Sequence, residues 1–217
     1  MADAPHDTGP QSARSSHATR SANMRRKLID AAVDCLCEVG YGKTTFQRVT
    51  DKAGVSRGAV LHHFPTRVDL LIAVAEDAAI QQNRTVAKNL AGLTSAQDLY
   101  DQITGATWDA MLQPPSIALL EIMMGARSDA ELAEQFPSFI ERRQTLQREA
   151  VWDVAQQIGI TDHKTVVTMV HLHVAAMRGL VLEFMYSKNV APAEDSMKLL
   201  KRYKDRLTAE LKGLTPT

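Results

Sequence analysis

Residues 44–71 read TTFQRVTDKAGVSRGAVLHHFPTRVDLL, and the punctuation inside this stretch decides the fold. Thr44 or Thr45 can cap a short helix whose buried stripe is Phe46, Val49 and Ala53. Gly54 suits the positive φ of a tight turn between helices, Val55 can plug their angle, and Ser56 caps the second helix. That helix is very short, about Arg57 to His63, because Pro65 disfavours helical geometry at Phe64. Two helices meeting steeply across such a turn form a helix-turn-helix pattern.

The second helix is long-armed and basic at Arg57, His62 and His63, and small at Gly58 and Ala59. That combination fits the major groove of a duplex, about 12 Å wide. Arg57 is the candidate for direct readout, since a guanidinium holds both acceptors of a guanine edge and discriminates by about 1–3 kcal/mol. Gly58 costs the helix about 1 kcal/mol relative to Ala, a local rule broken where a side chain would hold the helix off a ligand. His62 and His63 fit one base or phosphate contact and one backbone anchor, and neither needs a charge to donate.

Charge supports this partner only when counted by segment. The 217 residues carry 25 basic and 25 acidic side chains, a net charge of zero. Arg14 to Arg67 nevertheless holds 10 Lys/Arg against 4 acids, whereas residues 68–217 hold 15 against 19. A basic block on an acidic body reads as a module that meets a polyanion joined to one that does not.

Upstream, residues 1–20 lack periodicity and read as a mobile tail. A first helix is expected from near Ser21, with Leu28, Ile29, Ala32, Val33, Leu36 and Val39 on one face and Gly40 and Gly42 ending it. Arg25, Arg26 and Lys27 then fall in its first turn, where the dipole disfavours cations, and Arg25 becomes a phosphate candidate. Cys35 and Cys37 are two apart, face different ways, and read as buried reduced thiols.

Downstream, Thr66 and Asp69 make a capping box for a long helix to about Leu90. Further helices are expected from Ser95 to Leu112 and from Ile117 to Ala126. A Ser128 capping box opens a helix to Ile158 that Pro137 either kinks or divides. The last two run from Thr161 or Asp162 to Ser187 and from Ala193 to Lys212. This is an all-α chain of nine helices, divided into a tail at 1–20, a three-helix head at 21–68 and a helical body at 69–217. No secretory leader and no run of about 18 apolar residues is apparent, so a cytoplasmic protein without a membrane partner is expected.

The stretch Thr44 to Leu71 resembles the TetR family of transcriptional regulators in residue type and spacing, and the likeness spans about Arg25 to Ala75. The resemblance implies a nine-helix architecture, a homodimer built from the last two helices, a palindromic double-stranded operator, and a small-molecule effector pocket in the body. It places sequence reading on Gln47, Arg57, Gly58, Ala59 and His62, with Ser56 at the head of that helix, and phosphate contact on Thr45, His63 and Arg67. The aromatic often found before the paired residues is Leu61 here, which removes a hydroxyl, and Pro65-Thr66 stands where Lys or Asn is more familiar.

Pocket candidates in the body are Trp108, Met111, Leu112, Ile117, Glu121, Met123, Met124, Met169, His173, Met177 and Phe184, because methionine gives an adaptable lining. Apolar residues at helical spacing are more often plain core. Glu121 stands in an otherwise uncharged segment and needs a partner, either Arg127, Arg178 or a cationic or hydroxylated ligand. At most one of His171 and His173 can face inward, so a metal site built from both is not expected. For the dimer seam, Val166, Val170, Val174, Met177, Val181 and Met185 are expected to pair with Met197, Leu200, Tyr203 and Leu207.

The sequence thus describes a regulator, a repressor rather than an activator, released from its operator by an effector. No cofactor is implied, and neither a Ser-His-Asp order nor paired catalytic carboxylates point to an enzyme. A helical interaction module, or a DNA-binding regulator without an effector, remains the alternative.

Overall fold

The computed structural model describes residues 10–187 and 191–214, and among these every regular element is a helix. They are α1 (Pro10–Lys43), α2 (Phe46–Ala53), α3 (Arg57–His63), α4 (Arg67–Asn89), α5 (Ala96–Met111), α6 (Pro114–Gly125), α7 (Ala130–Gln157), α8 (His163–Ser187) and α9 (Ala191–Leu211).

The local signals of the head are realised as side-chain caps. Thr45 Oγ1 accepts from Arg48 N at 3.3 Å, Ser56 Oγ accepts from Ala59 N at 3.3 Å, and Gly54 takes the left-handed conformation at φ 60°, ψ 45°. At α4 the capping box is complete: Thr66 Oγ1 accepts from Asp69 N at 3.0 Å while the Asp69 carboxylate accepts from Thr66 N at 2.9 Å.

Three expectations change. Helix α1 starts at Pro10 rather than near Ser21, because a Ser/Ala/Arg tract continues a helix that its apolar stripe does not mark. Residues 1–9 of the expected tail lie outside the described residues. Arg25, Arg26 and Lys27 are consequently interior to α1, and the dipole argument for them lapses. At α7 the cap is Asp129, whose Oδ1 accepts from Leu132 N at 3.1 Å, in place of Ser128. That helix runs unbroken through Pro137, which lies past the first turn and so removes the bond an amide there would make to Ala133 O. Lastly, Cys35 is buried but Cys37 is exposed, its thiol 3.4 Å from Pro114 O.

Two cores hold these helices. One joins Leu28, Leu36, Val49, Val60 and Phe64 of the head, and Leu70 and Leu71 of α4, to Ala118, Leu119 and Ile122 of α6 and to Leu132 and Phe136 of α7. The other gathers Tyr100, Met111, Val151, Ala155, Ile160 and the inner face of α8. By length and apolar composition alone α8 could cross a membrane, yet Val166, Val170, Val174, Met177 and Val181 are buried in this second core.

The seam residues expected on α8 are therefore mostly turned inward. Its outward stripe is Leu172, Ala175, Gly179, Leu182 and Tyr186, all exposed, beside Leu199 and Tyr203 on α9. Leu172 is 62% exposed, Tyr186 76% and Tyr203 62%, far more than isolated large apolar groups on adjoining helices require. Both faces of α8 are apolar, so periodicity could not say which one turned in.

Candidate nucleic-acid interface

Helix α3 is anchored by one buried residue, Val60, while Arg57, Gly58, Leu61 and His62 are exposed. Capping by Ser56 fixes the first turn, so Arg57 and Gly58 stand at a defined, outward edge. A Cβ on Gly58 would meet nothing closer than Ser56 Oγ at 3.9 Å, so internal packing does not demand glycine there.

Beside this edge lie the remaining groups. Thr45 is exposed at the start of α2, and Gln47 donates to Asp51 Oδ1 at 2.8 Å on the same exposed face. Arg25 reaches across from α1 and lays its guanidinium carbon 4.6 Å from the centre of the Phe64 ring, at the end of α3. The rings of His62 and His63 meet edge-on, 5.2 Å apart. Burial, then His62 and Arg25, push the His63 pKa below the usual histidine value, so this ring is neutral at neutral pH and offers an N–H rather than a charge.

Two cations of the head are spent within the protein. Arg26 closes on Asp77 of α4, with Nη2 2.8 Å from Oδ2, and on Asp30, with Nε 2.9 Å from Oδ1. These carboxylates hold its pKa above the ordinary arginine value. Arg67, expected at phosphate, turns inward instead. Nε donates to Thr44 O at 2.8 Å, Nη2 to Tyr41 O at 2.7 Å, and Nη1 to Tyr41 Oη at 3.0 Å and Asp129 Oδ2 at 3.3 Å. Few donors remain for a ligand, and that assignment gives way to a structural one.

The body candidates separate into several places. Met111 and Met123 line a cavity with Gln82, Ser116, Arg143 and Arg178. Met169, His173 and Met177 line a second one with Thr104, Gln147 and Lys204. Trp108, Leu112 and Ile117 pack on the second core, while Met124 and Phe184 are half-buried and line neither cavity. Glu121 is used at the joint between head and body, where its Oε2 accepts from Tyr41 N at 2.9 Å as the chain turns at Gly40, φ 75°. This backbone donor, rather than Arg127, Arg178 or a ligand, is the partner it required.

His173 is neutral, its pKa pushed down to about 4 by burial and then by the charge of Lys204. Lys204 is itself pushed down to about 8 by burial, with its ammonium 4.3 Å from the Tyr100 ring centre and donating to Tyr100 O. Sequence reading missed Tyr41 and Arg143. The Gly40-Tyr41-Gly42 sequence was the available signal for the first, and nothing around Arg143 separates it from its exposed neighbour Arg142.

Residues 28–74 match the family described as bacterial regulatory proteins, tetR family. Over those residues the chain is similar to the TetR family. The HTH-type transcriptional regulator CymR of Pseudomonas putida is 29% identical over 178 residues, covering 81% of this chain and 86% of that protein. The repressor AcnR of Corynebacterium efficiens is 30% identical over 90 residues, 39% of this chain and 48% of its own. A transcriptional regulator from Rhodococcus sp. Rha1 shares the fold with a TM-score of 0.64 at 20% identity, covering 86% of this chain and 95% of that one. These relatives are helix-turn-helix transcriptional regulators, not enzymes.

Proposed function

We propose that the protein is a homodimeric repressor that occupies a palindromic operator through α3 of each protomer and leaves it when a small molecule enters the body. The observation that carries this reading is the α3 edge: a capped, exposed helix start with Arg57 and an unforced Gly58, flanked by Arg25, Thr45 and His63. Arg57, Gly58, Ala59, His62 and Gln47 read the groove in this scheme, and Arg25, Thr45 and His63 hold phosphates. Residues 21–68 act as the DNA-binding unit and 69–217 as the effector and dimerisation unit.

Dimerisation rests on the outward stripe of α8 with Leu199 and Tyr203 of α9. Gly179, where a Cβ would meet nothing within 4 Å, leaves room for close approach of a second copy. Two heads held at a fixed distance suit half-sites about 34–36 Å apart. The dimer would act in the cytoplasm, where the operator is.

Mobility shift against selected genomic fragments tests the reading. The wild type is expected to retard a palindromic fragment and Arg57→Ala to lose its preference for it, with affinity falling as salt rises. A protein that binds no duplex at low ionic strength overturns the proposal.

A further inference from the structure

A guanidinium stays charged at any physiological pH, so burying one without an acceptor is expensive and needs a reason. Elsewhere in the fold the inward arginines have theirs: Arg26 meets Asp77 and Arg67 meets Asp129. Arg143 of α7 and Arg178 of α8 meet no acid. Both line the cavity between α4, α6, α7 and α8, and no carboxylate acts on either one.

Arg143 donates from Nη2 to Gln82 Oε1, while its Nε is buried with no hydrogen-bond partner among the described residues. Gln82 is fixed in turn, donating to Ser116 Oγ at 2.6 Å, and Ser116 donates to Ala110 O at 2.6 Å. The cavity therefore presents two cations, one unused N–H and apolar walls from Met111, Leu119, Met123 and Val181. Burial, and then the like charge of Arg178, push the Arg143 pKa down to about 10.

We propose that this cavity takes an organic anion, a carboxylate on an apolar body, with Arg143 and Arg178 closing on its two oxygens. The proposal rests on the reading of the body as an effector unit and adds the ligand's chemical class. A carboxylate fits better than a phosphate because, beyond the two guanidiniums, only Gln82 and Ser116 offer polar atoms, and the remaining wall would leave phosphate oxygens unpaired. Unfilled space amounts to about 330 Å³ with the mouth included, so the methionine side chains must move aside to admit an apolar body. Gln82 lies on α4, the helix that begins under the head at Arg67. An anion that draws Arg143 away from Gln82 thus acts directly on the element that carries the head.

Thermal melting of the full chain tests this with straight-chain carboxylates from butyrate to decanoate and with phenylacetate, each beside its primary amide, and with inorganic phosphate at matched ionic strength. At saturation at least one carboxylate is expected to raise Tm by roughly 5–10 °C, with its amide and phosphate nearly inert. Arg178→Met is expected to melt no lower than wild type, having lost an uncompensated charge, and Arg143→Met somewhat lower because it strands Gln82 Oε1; both are expected to lose that shift. The proposal is overturned if no carboxylate exceeds its amide, if phosphate gives an equal shift, or if the shift survives in both variants. Operator mobility shift on the same preparations separates the two readings. Intact DNA binding without a carboxylate shift sinks the anion site alone, and a carboxylate shift without DNA binding sinks the regulator reading alone.

Discussion

The guanidinium carbon of Arg67 lies 4.2 Å from the centre of the Tyr41 ring, and the hydroxyl of that same tyrosine donates to Asp129 at 2.6 Å. One residue from the end of α1, one from the start of α4 and the cap of α7 thereby form a single joint. The Tyr41 hydrogen bond is the first cause that holds the Asp129 carboxyl below its ordinary pKa. Arg67→Gln should cost about 2 kcal/mol, or roughly 4–8 °C in Tm, by stranding the Tyr41 and Thr44 carbonyls. Because its donors are spent internally, the same variant should leave the slope of log affinity against log salt unchanged. Arg25→Gln should flatten that slope by about 1 per head while hardly moving Tm. A flatter slope for Arg67→Gln would show that the guanidinium leaves the joint to meet DNA.

Gly125 sits directly against the same tyrosine, and a Cβ there would be driven into the Tyr41 ring. Gly125→Ala should therefore lower stability by about 2–3 kcal/mol despite the better helix propensity of alanine, and circular dichroism melting reads it out. A neutral or stabilising result would mean that α1 and α6 pack less closely than described.

At Gly58 the opposite sign is expected for folding. Open space surrounds its Cβ position, so Gly58→Ala should stabilise the protein by up to about 1 kcal/mol. Operator affinity should fall in the same variant, because the added methyl stands between α3 and the duplex. Stability and binding that rise together would remove the reason given for this glycine.

His173 makes stability depend on pH. Its folded pKa of about 4 lies below the unfolded value near 6.5, so the unfolded chain takes up the proton first. The neutral ring's contribution is fully present above about pH 6.5 and drains away as pH falls towards 4. Between pH 7 and pH 5 the loss is about 2 kcal/mol from this residue. His173→Gln should show a correspondingly shallower fall in Tm over that interval, and an identical fall would mean that the ring is reached by water.

Legibility followed the range of the interactions. Thr45, Ser56, Gly54 and the Thr66–Asp69 box are read within four residues of themselves, and each took the predicted part. The α3 edge was legible for the same reason. Arg67 was not, since the acid that turns it inward sits on α7, and nothing near Arg67 announces that meeting. Glu121 announced that it needed a partner but not that the partner was a backbone N–H at a glycine turn in α1. On α8 apolar residues circle the helix, so the sequence could not separate the face that meets its own subunit from the face left bare. Arg143 and Arg178 became informative only when placed together without an acid.

The core that runs without interruption from Leu28 and Val49 into Ile122 and Phe136 bears on how freely this chain could be recombined. Cutting after residue 68 removes Leu70, Leu71, Ala118, Ile122, Leu132 and Phe136 from the core that Leu28 and Leu36 share with them. A chimera that grafts these head residues onto a foreign ligand-sensing scaffold would have to import that whole covering surface, or rebuild it residue by residue.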